Sequence, residues 1–178
     1  TINGKTSHAG EPDKGVNAIV RAAELVQIIN SKYKKELRKK NVNVHKSTIS
    51  IGIIKGGENI NVVPYKAEIL IDRRITSKEK IKKSFINLKN FIIKHEPSAK
   101  VKFLTGTNPF KSNPRNSYLT SLKNSYKSIK KKNPIYLSSI GVSDGRYFSD
   151  ENVNIINVGP GSGDEGHKSN EKLLNSDL

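Results

Sequence analysis

Two segments in which apolar and polar residues alternate constrain the fold of this chain more than any other feature. The alternating apolar residues are Ile49, Ile51 and Ile53 in STISIGII, and Ala67, Ile69 and Ile71 in NVVPYKAEILIDRRI. A period of two is typical of strands that bury one face. The GGEN segment between them predicts a turn, so the two strands are expected to pair in an antiparallel hairpin.

Helical periodicity flanks this hairpin on both sides. Asn17 is the predicted N-cap of a first helix, because apolar residues then recur on one face at a spacing of 3.6. Those residues are Ala18, Ala22, Leu25, Val26 and Ile29. The charged run SKYKKELRKK either continues or ends this helix. The second helix is expected to open at a Thr/Ser cap in TSKEKIKKSFINLKNFIIKHE, with Ile81, Phe85, Leu88 and Ile92 on its apolar face.

The order of these elements predicts an α+β domain over residues 1–108. AKVKFLTG is a further predicted strand, and Thr1–Gly4 is the expected end of a first strand. The order is then βαββαβ, which is ferredoxin-like, with an antiparallel sheet and both helices on one face.

Residues 109–178 have a different pattern. NPFKSNP resembles a linker, a helix is predicted from about Arg115 to Lys131, and PIYLSSIG and VNIINVG are short apolar runs that end in glycine. Strands that end in loops are typical of α/β sheets, where sites lie at the carboxyl ends of strands. So few elements cannot close a core, and the chain also begins inside a Gly-rich loop without any Met. We therefore interpret it as a piece of a longer protein.

The net charge of +16 on 178 residues raises nucleic acid or an acidic molecule as a partner. However, the lysines are scattered among acidic residues, and a compositional bias is the favoured explanation. A basic RNA-binding βαββαβ module, the alternative, would expose two or three aromatic residues on its central strands, where this chain offers only Tyr65.

There is no Cys, no signal peptide and no apolar run near the ~20 residues of a membrane span. These features predict a soluble cytoplasmic protein with neither nucleic acid nor membrane as partner.

Four motifs occur in an order that resembles a known enzyme family. They are GKTSHAGEPDKGVNAI, GGENINVVP, IDRR, and GVSDGRYF followed by VGPGSGDEGHKSNE. Together with the 13-residue step from Asn61 to Arg74, they resemble the MH clan of co-catalytic zinc peptidases. The branch is that of succinyl-diaminopimelate desuccinylase, acetylornithine deacetylase, aminoacylase and carboxypeptidase G. The resemblance implies that residues 1–108 are the lid, or dimerisation, domain. Residues 109–178 would then be the C-terminal part of the α/β zinc-hydrolase domain, whose N-terminal half is absent.

The GxGxxG pattern in GPGSGDEGHKSNE would by itself suggest a phosphate-binding loop. Only 12 residues follow Gly166, which is too few for the βαβ unit that such a loop opens. We interpret the glycines as routing the chain so that it presents His167. Taken alone, His167 would be a surface residue, but in this context it matches the family's final metal ligand, and zinc accepts a neutral imidazole nitrogen. The resemblance implies two zinc ions, or cobalt or manganese, in the whole protein and no stoichiometric metal in this chain.

The resemblance also implies roles for seven further residues. His8 matches a residue that stabilises the tetrahedral oxyanion and, in dimeric members, reaches the partner's active site. Asn61 and Arg74 match residues that meet a substrate carboxylate, which a planar guanidinium binds bidentately. Arg74 is preferred to Arg73 because the family pattern is D-x-R, counted from Asp72; without the family, Arg74 would be a strand-end arginine in a surface ion pair. Four residues match a substrate-facing loop: Gly141, Val142, Ser143 and Arg146.

The function that this resemblance implies is metal-dependent hydrolysis of an amide bond in an N-acyl amino acid. SDGR and HKSNE favour succinyl-diaminopimelate desuccinylase, with acetylornithine deacetylase, aminoacylase, and a dipeptidase or carboxypeptidase of the same family as alternatives. We expect this chain alone to be inactive. We also expect a homodimer through residues 1–108, formed by an edge strand and a helix, with His8 acting in trans; the alternative is a monomer that closes on a hinge.

Overall fold

The described chain forms two compact units. In the computed structural model, the described residues are 1–40, 47–110, 112–113, 115–136, 141–151, 153–159 and 169–175. The first unit contains Thr1–Pro109 and Ile135–Val142, and the second contains Phe110–Pro134 and Ser143–Leu178.

The first unit is built on an antiparallel sheet of three strands. They are β1 (Ile2–Asn3), β2 (Thr48–Gly56) and β3 (Lys66–Arg74), in the spatial order β1-β3-β2. The predicted hairpin is therefore confirmed, since β2 pairs with β3 along its whole length. β2 has a partner on one side only among the described residues, so it is an edge strand.

The predicted strand in AKVKFLTG is wrong, because this segment forms no ladder. Its backbone-to-backbone contacts toward the sheet are those of Lys100 with Thr1, the residue before β1, with N···O distances of 3.0 and 2.8 Å. β1 is only two residues long, so a neighbouring segment finds few backbone groups to bond. These contacts still place the segment beside β1, as a βαββαβ topology requires.

A β-bulge interrupts the alternation in β2. Ile51 pairs with Ile71, whereas Ile53 pairs with Leu70, and Gly52 between them is the extra residue. Because side chains alternate with a period of two, one extra residue exchanges the two faces beyond it. The prediction that Ile53 shares the face of Ile51 is therefore wrong, and Ile54 takes that position instead.

The first helical stretch begins as predicted and continues through the charged run. The side chain of Asn17 accepts hydrogen bonds from the Ile19 and Val20 amides at 2.9 and 3.2 Å. The stretch then comprises α1 (Ala18–Ile28), a π-helical turn (Ile29–Tyr33) and α2 (Lys34–Lys40). The Ser31 hydroxyl donates to the Gln27 carbonyl at 2.8 Å beside the π turn.

The next helix, α3 (Ile81–His95), begins later than predicted. Its first amide, that of Ile81, donates to the Asn108 side chain at 3.1 Å. The predicted Thr/Ser cap is wrong because Thr76 belongs to a turn that precedes the helix. In that turn the Thr76 amide donates to the Glu79 carboxylate at 3.0 Å, and the Glu79 amide donates back to the Thr76 carbonyl at 2.9 Å.

The core of the first unit lies between the sheet and one layer of helices. It comprises Ile2, Ala18, Ala22, Leu25, Ile29, Tyr33, Leu37, Ile49, Ala67, Leu88 and Ile92. Two of the three alanines of α1, Ala18 and Ala22, are fully buried, and their small side chains let the helix approach the sheet closely. Burial of each large apolar side chain contributes about 1.5–3 kcal/mol.

A partly buried ion pair ties α1 to the end of α3. Arg21 donates to both carboxylate oxygens of Glu96, at 2.8 and 2.6 Å. Ser98 adds hydrogen bonds to the same carboxylate from its amide and its hydroxyl, at 3.0 and 2.6 Å. Burial by itself raises the pKa of Glu96, but the Ser98 hydrogen bonds and the Arg21 charge outweigh it and hold that pKa below its ordinary value.

The second unit contains α4 (Ser117–Lys130), close to the predicted helix. Asn116 caps it by accepting from the Tyr118 amide at 2.8 Å. The predicted strand VNIINVG is wrong over 153–159, which has contacts to side chains but no described strand beside it to complete a ladder. The predicted strand PIYLSSIG lies partly outside the described residues. Within the described ranges, no helix has the length and apolar character to cross a membrane.

Candidate functional site

His8 lies on a loop that is closed at its base. The Lys5 amide donates to the Val16 carbonyl at 2.9 Å, and the Val16 amide donates to the Lys5 carbonyl at 2.8 Å. A single turn of 3-10 helix, Pro12–Lys14, occupies the far part of this loop. The His8 side chain is exposed, so the loop presents an imidazole to the surroundings on a short and well-anchored segment.

A second loop, the connection between β2 and β3, packs against the His8 loop and carries Asn61. The Ala9 amide donates to the Asn61 carbonyl at 2.9 Å, and the Val63 amide donates to the Ser7 carbonyl at 2.9 Å. These bonds flank an antiparallel bridge between His8 and Val62. The structure thus brings together two of the residues that the sequence singled out, although they are far apart in the chain.

The His8 ring is oriented by a backbone group of its own loop. The Gly10 amide donates a hydrogen bond to His8 Nδ1 at 3.0 Å. A Cβ atom on Gly10 would lie only 3.2 Å from that nitrogen, so a glycine suits this close approach. The sequence indicated that Ala9 and Gly10, as small neighbours, leave room for the His8 ring, but it did not predict the hydrogen bond from the Gly10 amide.

Arg74 lies at the opposite end of β3 from these two loops. The strand begins at Lys66, beside the Asn61 loop, and ends at Arg74. Eight steps of about 3.3 Å separate the two ends by about 26 Å. One copy of the chain therefore does not bring Arg74 close to His8 and Asn61.

Arg74 and Arg73 have different surroundings. Arg74 is 42% exposed and forms an ion pair with Asp72 at 2.9 Å. Arg73 is 10% exposed and donates to the Glu79 carboxylate at 2.6 Å. Burial by itself raises the pKa of Glu79, but hydrogen bonds from Ser47 and the Thr76 amide, with the charge of Arg73, outweigh it and lower that pKa. Arg73 is therefore part of the packed interior, and Arg74 is the more accessible arginine.

A cavity of about 260 Å³ lies beside Arg73, away from the His8 loop. Its lining includes Tyr33, Glu36, Ser84, Asn87 and Phe91. None of the residues that the sequence analysis assigned to the site contributes to this lining.

The GVSDGRY segment is divided between the two units, with Gly141 and Val142 in the first and Ser143 and Arg146 in the second. Within the second unit, the Ser143 hydroxyl accepts from the Asn157 side chain at 3.1 Å. A 3-10 turn, Asp144–Phe148, follows. The Arg146 guanidinium lies 4.7 Å from the centroid of the Tyr147 ring and donates to its hydroxyl at 2.7 Å.

His167 lies outside the described residues. Within the described part of the chain, no three His, Cys, Asp or Glu side chains are grouped so that they could hold a metal ion. The described residues therefore do not by themselves provide a metal centre.

Comparison with known proteins shows where this chain fits. It is 26% identical over 183 aligned positions to succinyl-diaminopimelate desuccinylase 1 of Alteromonas mediterranea. The alignment covers 100% of this chain and 46% of that protein, so the chain spans about half the length of this curated relative.

Two solved structures are similar to this one. The aminopeptidase PepT of Bacillus cereus has a TM-score of 0.57 and 26% identity, and the match covers 82% of this chain and 38% of that one. A tripeptidase of Staphylococcus aureus has a TM-score of 0.60 and 24% identity, covering 82% of this chain and 37% of that one, and shows the fold alone.

The family follows from the match to residues 1–100, which fit the description "Peptidase dimerisation domain". This match covers more than half of the chain and confirms both the predicted family and the predicted α+β fold. The chain belongs to the M20 peptidase dimerisation-domain family.

Proposed function

We propose that this chain is part of a metal-dependent hydrolase that cleaves an amide bond in an N-acyl amino acid or a short peptide. The observation that carries the proposal is the close pairing of the His8 and Asn61 loops in a peptidase dimerisation domain. The relatives named as a desuccinylase and an aminopeptidase support an amide substrate. The desuccinylase match over the whole chain supports an N-succinyl amino acid first. The alternatives are an N-acetyl amino acid, as for acetylornithine deacetylase or aminoacylase, and a peptide, as for a dipeptidase or carboxypeptidase.

The proposed roles follow from the chemistry of each side chain. His8 donates a hydrogen bond to the oxyanion that forms when the amide carbonyl is attacked. Asn61 and Arg74 bind the substrate carboxylate, for which the Arg74 guanidinium is suited by its fork of donors. The loop that contains Gly141, Val142, Ser143 and Arg146 lies against the rest of the substrate.

A homodimer is part of this proposal. The length of β3, about 26 Å, separates the loops of His8 and Asn61 from Arg74, whereas a small N-acyl amino acid is much shorter than that. Two copies are therefore needed to supply all three groups to one substrate, with His8 and Asn61 acting on the partner's site. The edge strand β2 and helix α1 offer a surface for pairing, because Ile54 and Ile19 both remain partly exposed there.

The metal ions that this function requires do not fit the described residues alone, as no described cluster holds three ligands. His167 is the ligand that we propose from this chain, and the remaining ligands would come from the rest of the protein. The chemistry that the metals supply when bound is the activation of water.

The proposal is tested with the full-length protein that contains this chain. Hydrolysis of N-succinyl-diaminopimelate, N-acetylornithine and a tripeptide is measured in parallel, and we expect the highest kcat/KM for the succinylated substrate. His8→Ala should lower kcat on the preferred substrate by at least about 100-fold, the scale for one lost oxyanion donor. Absence of hydrolysis of all three substrates by the metal-loaded protein would overturn the proposal.

A further inference from the structure

We infer that the Gly10 amide fixes the neutral His8 ring as the tautomer protonated on Nε2, so that His8 always presents a hydrogen-bond donor. Gly10 is then a positioning residue for His8. This inference rests on the proposed function for its consequence, but its geometry lies entirely within the His8 loop.

The direction of one hydrogen bond determines the tautomer. The Gly10 nitrogen lies 3.0 Å from His8 Nδ1, and a backbone N–H can only donate. Nδ1 must therefore offer its lone pair and carry no proton. In a neutral imidazole the proton is then on Nε2, because the two ring nitrogens share one proton between them.

The Gly10 amide is held in place by bonds on either side of it. The Ala9 amide donates to the Asn61 carbonyl, and the Glu11 amide donates to the His8 carbonyl, both at 2.9 Å. A side chain at position 10 would crowd the ring, since its Cβ would lie 3.2 Å from Nδ1 and 3.6 Å from Cε1. The loop thus fixes the donor, and the glycine leaves room for the ring.

A fixed His8 tautomer has a consequence for the proposed stabilisation of the oxyanion. A developing oxyanion is stabilised by a donor that is already oriented, because no reorganisation is needed as charge appears. An imidazole that could exchange tautomers would present an acceptor for part of the time. With Nδ1 occupied by the Gly10 amide, the exposed Nε2–H remains available to the substrate.

His95 provides an internal control with the opposite tautomer. Its Nδ1 lies 2.9 Å from the Phe91 carbonyl oxygen, which can only accept. The proton of a neutral His95 is therefore on Nδ1. Both rings are thus held by backbone groups, but one backbone group donates and the other accepts.

The experiment uses this chain labelled with nitrogen-15, at a pH where the imidazoles are neutral. Long-range proton–nitrogen spectra should show an unprotonated Nδ1 for His8 and a protonated Nδ1 for His95, with His8→Gln identifying the His8 signals. A nitrogen–nitrogen coupling across the hydrogen bond should connect Gly10 to His8 Nδ1. A protonated His8 Nδ1, or the absence of this coupling, overturns the inference.

Two variants extend the test. Gly10→Pro removes the N–H and should abolish the coupling and allow both His8 tautomers, whereas Gly10→Ala keeps the donor but displaces the ring. If Gly10→Pro does not fold, the reduced coupling expected in Gly10→Ala still decides the matter. In the full-length enzyme, Gly10→Pro should lower kcat by about 10- to 100-fold with little change in KM. If His8→Ala leaves activity intact, the proposed function fails even where the tautomer is as inferred; if His8→Ala abolishes activity but Nδ1 is protonated, only this inference fails.

Discussion

Arg73 and Arg74 are adjacent in the chain, yet β3 directs their guanidinium groups to opposite faces of the sheet. Arg73 lies on the helix side, where Glu79 and the Thr48 carbonyl accept its hydrogen bonds. Arg74 lies on the other side with Asp72 as its ion-pair partner. The alternation of a strand therefore separates a structural arginine from the candidate for substrate binding.

We predict that Arg74→Ala and Arg73→Ala have opposite effects on function and stability. In the full-length enzyme, Arg74→Ala should cost about 2–4 kcal/mol of substrate recognition, the scale for truncating one partner of a buried charge pair. The free energy of unfolding should change by less than about 0.5 kcal/mol, because an exposed ion pair contributes little. Kinetics with and without the substrate α-carboxylate, and urea unfolding, measure the two effects.

Arg73→Ala is the matched control. It should lower the free energy of unfolding by about 3 kcal/mol, because it leaves the partly buried Glu79 carboxylate without its cation. If Arg74→Ala weakens recognition equally for substrates with and without the α-carboxylate, Arg74 is a structural residue and does not bind that carboxylate.

The Arg21–Glu96 pair predicts a loss of stability in acid. The pKa of Glu96 is lowered in the folded chain, so its contribution is fully present above the ordinary value of about 4.3 and is lost as pH falls through the lowered value. Glu96→Gln should lower the free energy of unfolding at pH 7 by about 2–3 kcal/mol and should flatten the acid dependence. Urea unfolding at pH 7 and below pH 4 measures both.

The exposed Glu11–Lys14 pair supplies the control for that prediction. Glu11→Gln should change the free energy of unfolding by less than about 0.5 kcal/mol at either pH. If Glu96→Gln has an effect as small as this one, the partly buried Arg21–Glu96 pair does not stabilise the fold.

We predict that β2 mediates dimerisation. Ile54→Glu should shift the chain from dimer to monomer in sedimentation equilibrium, because a charge is then placed at an apolar edge. Ile86→Glu on α3 is the matched control, since Ile86 is 43% exposed and Ile54 is 50% exposed. A dimer that survives Ile54→Glu but not Ile86→Glu would place the interface on the α3 side.

Subunit mixing tests the role of His8 across that interface. Full-length His8→Ala and His167→Ala proteins should each be inactive. After subunit exchange at equal ratio, activity should return to about a quarter of wild type, because half of the dimers are mixed and one site in each works. If exchange is demonstrated and no activity returns, His8 acts within its own subunit.

The helices were predictable because their apolar positions recur at helical spacing and because Asn17 is a strong N-cap. The bulge in β2 was not predictable, since isoleucine occupies both positions after Gly52. The pattern therefore fits a strand with Ile53 on the face of Ile51 as well as one with Ile54 there. The start of α3 was also missed, because the contact between Glu79 and Thr76 competes with the Thr/Ser cap. Local sequence could not decide between these two uses of Thr76.

The candidate site was predictable only in part, because local sequence does not show which distant segments pair. The motifs single out His8 and Asn61, but their adjacency depends on the pairing of two loops that are distant in sequence. The separation of Arg74 from Asn61 agrees with their predicted places at the two ends of one strand, whereas the separation of Arg74 from His8 depends on the pairing of the two loops. Predictions for His167 and for the roles of the GVSDGRY segment still await experiment.

The π-helical turn at Ile29–Tyr33 determines where the helical stretch could lose one residue by deletion. Up to its first residue, the buried positions Ala18, Ala22, Leu25 and Ile29 are spaced by four, three and four residues. Its last residue, Tyr33, follows Ile29 at four residues, and Leu37 follows Tyr33 at four. The turn therefore absorbs one residue beyond what a continuous α-helix would need. A chain shortened by one of the exposed residues 30–32 would keep every buried side chain facing the sheet. The same loss from β3 would exchange its two faces, so the helix tolerates a deletion that the sheet does not.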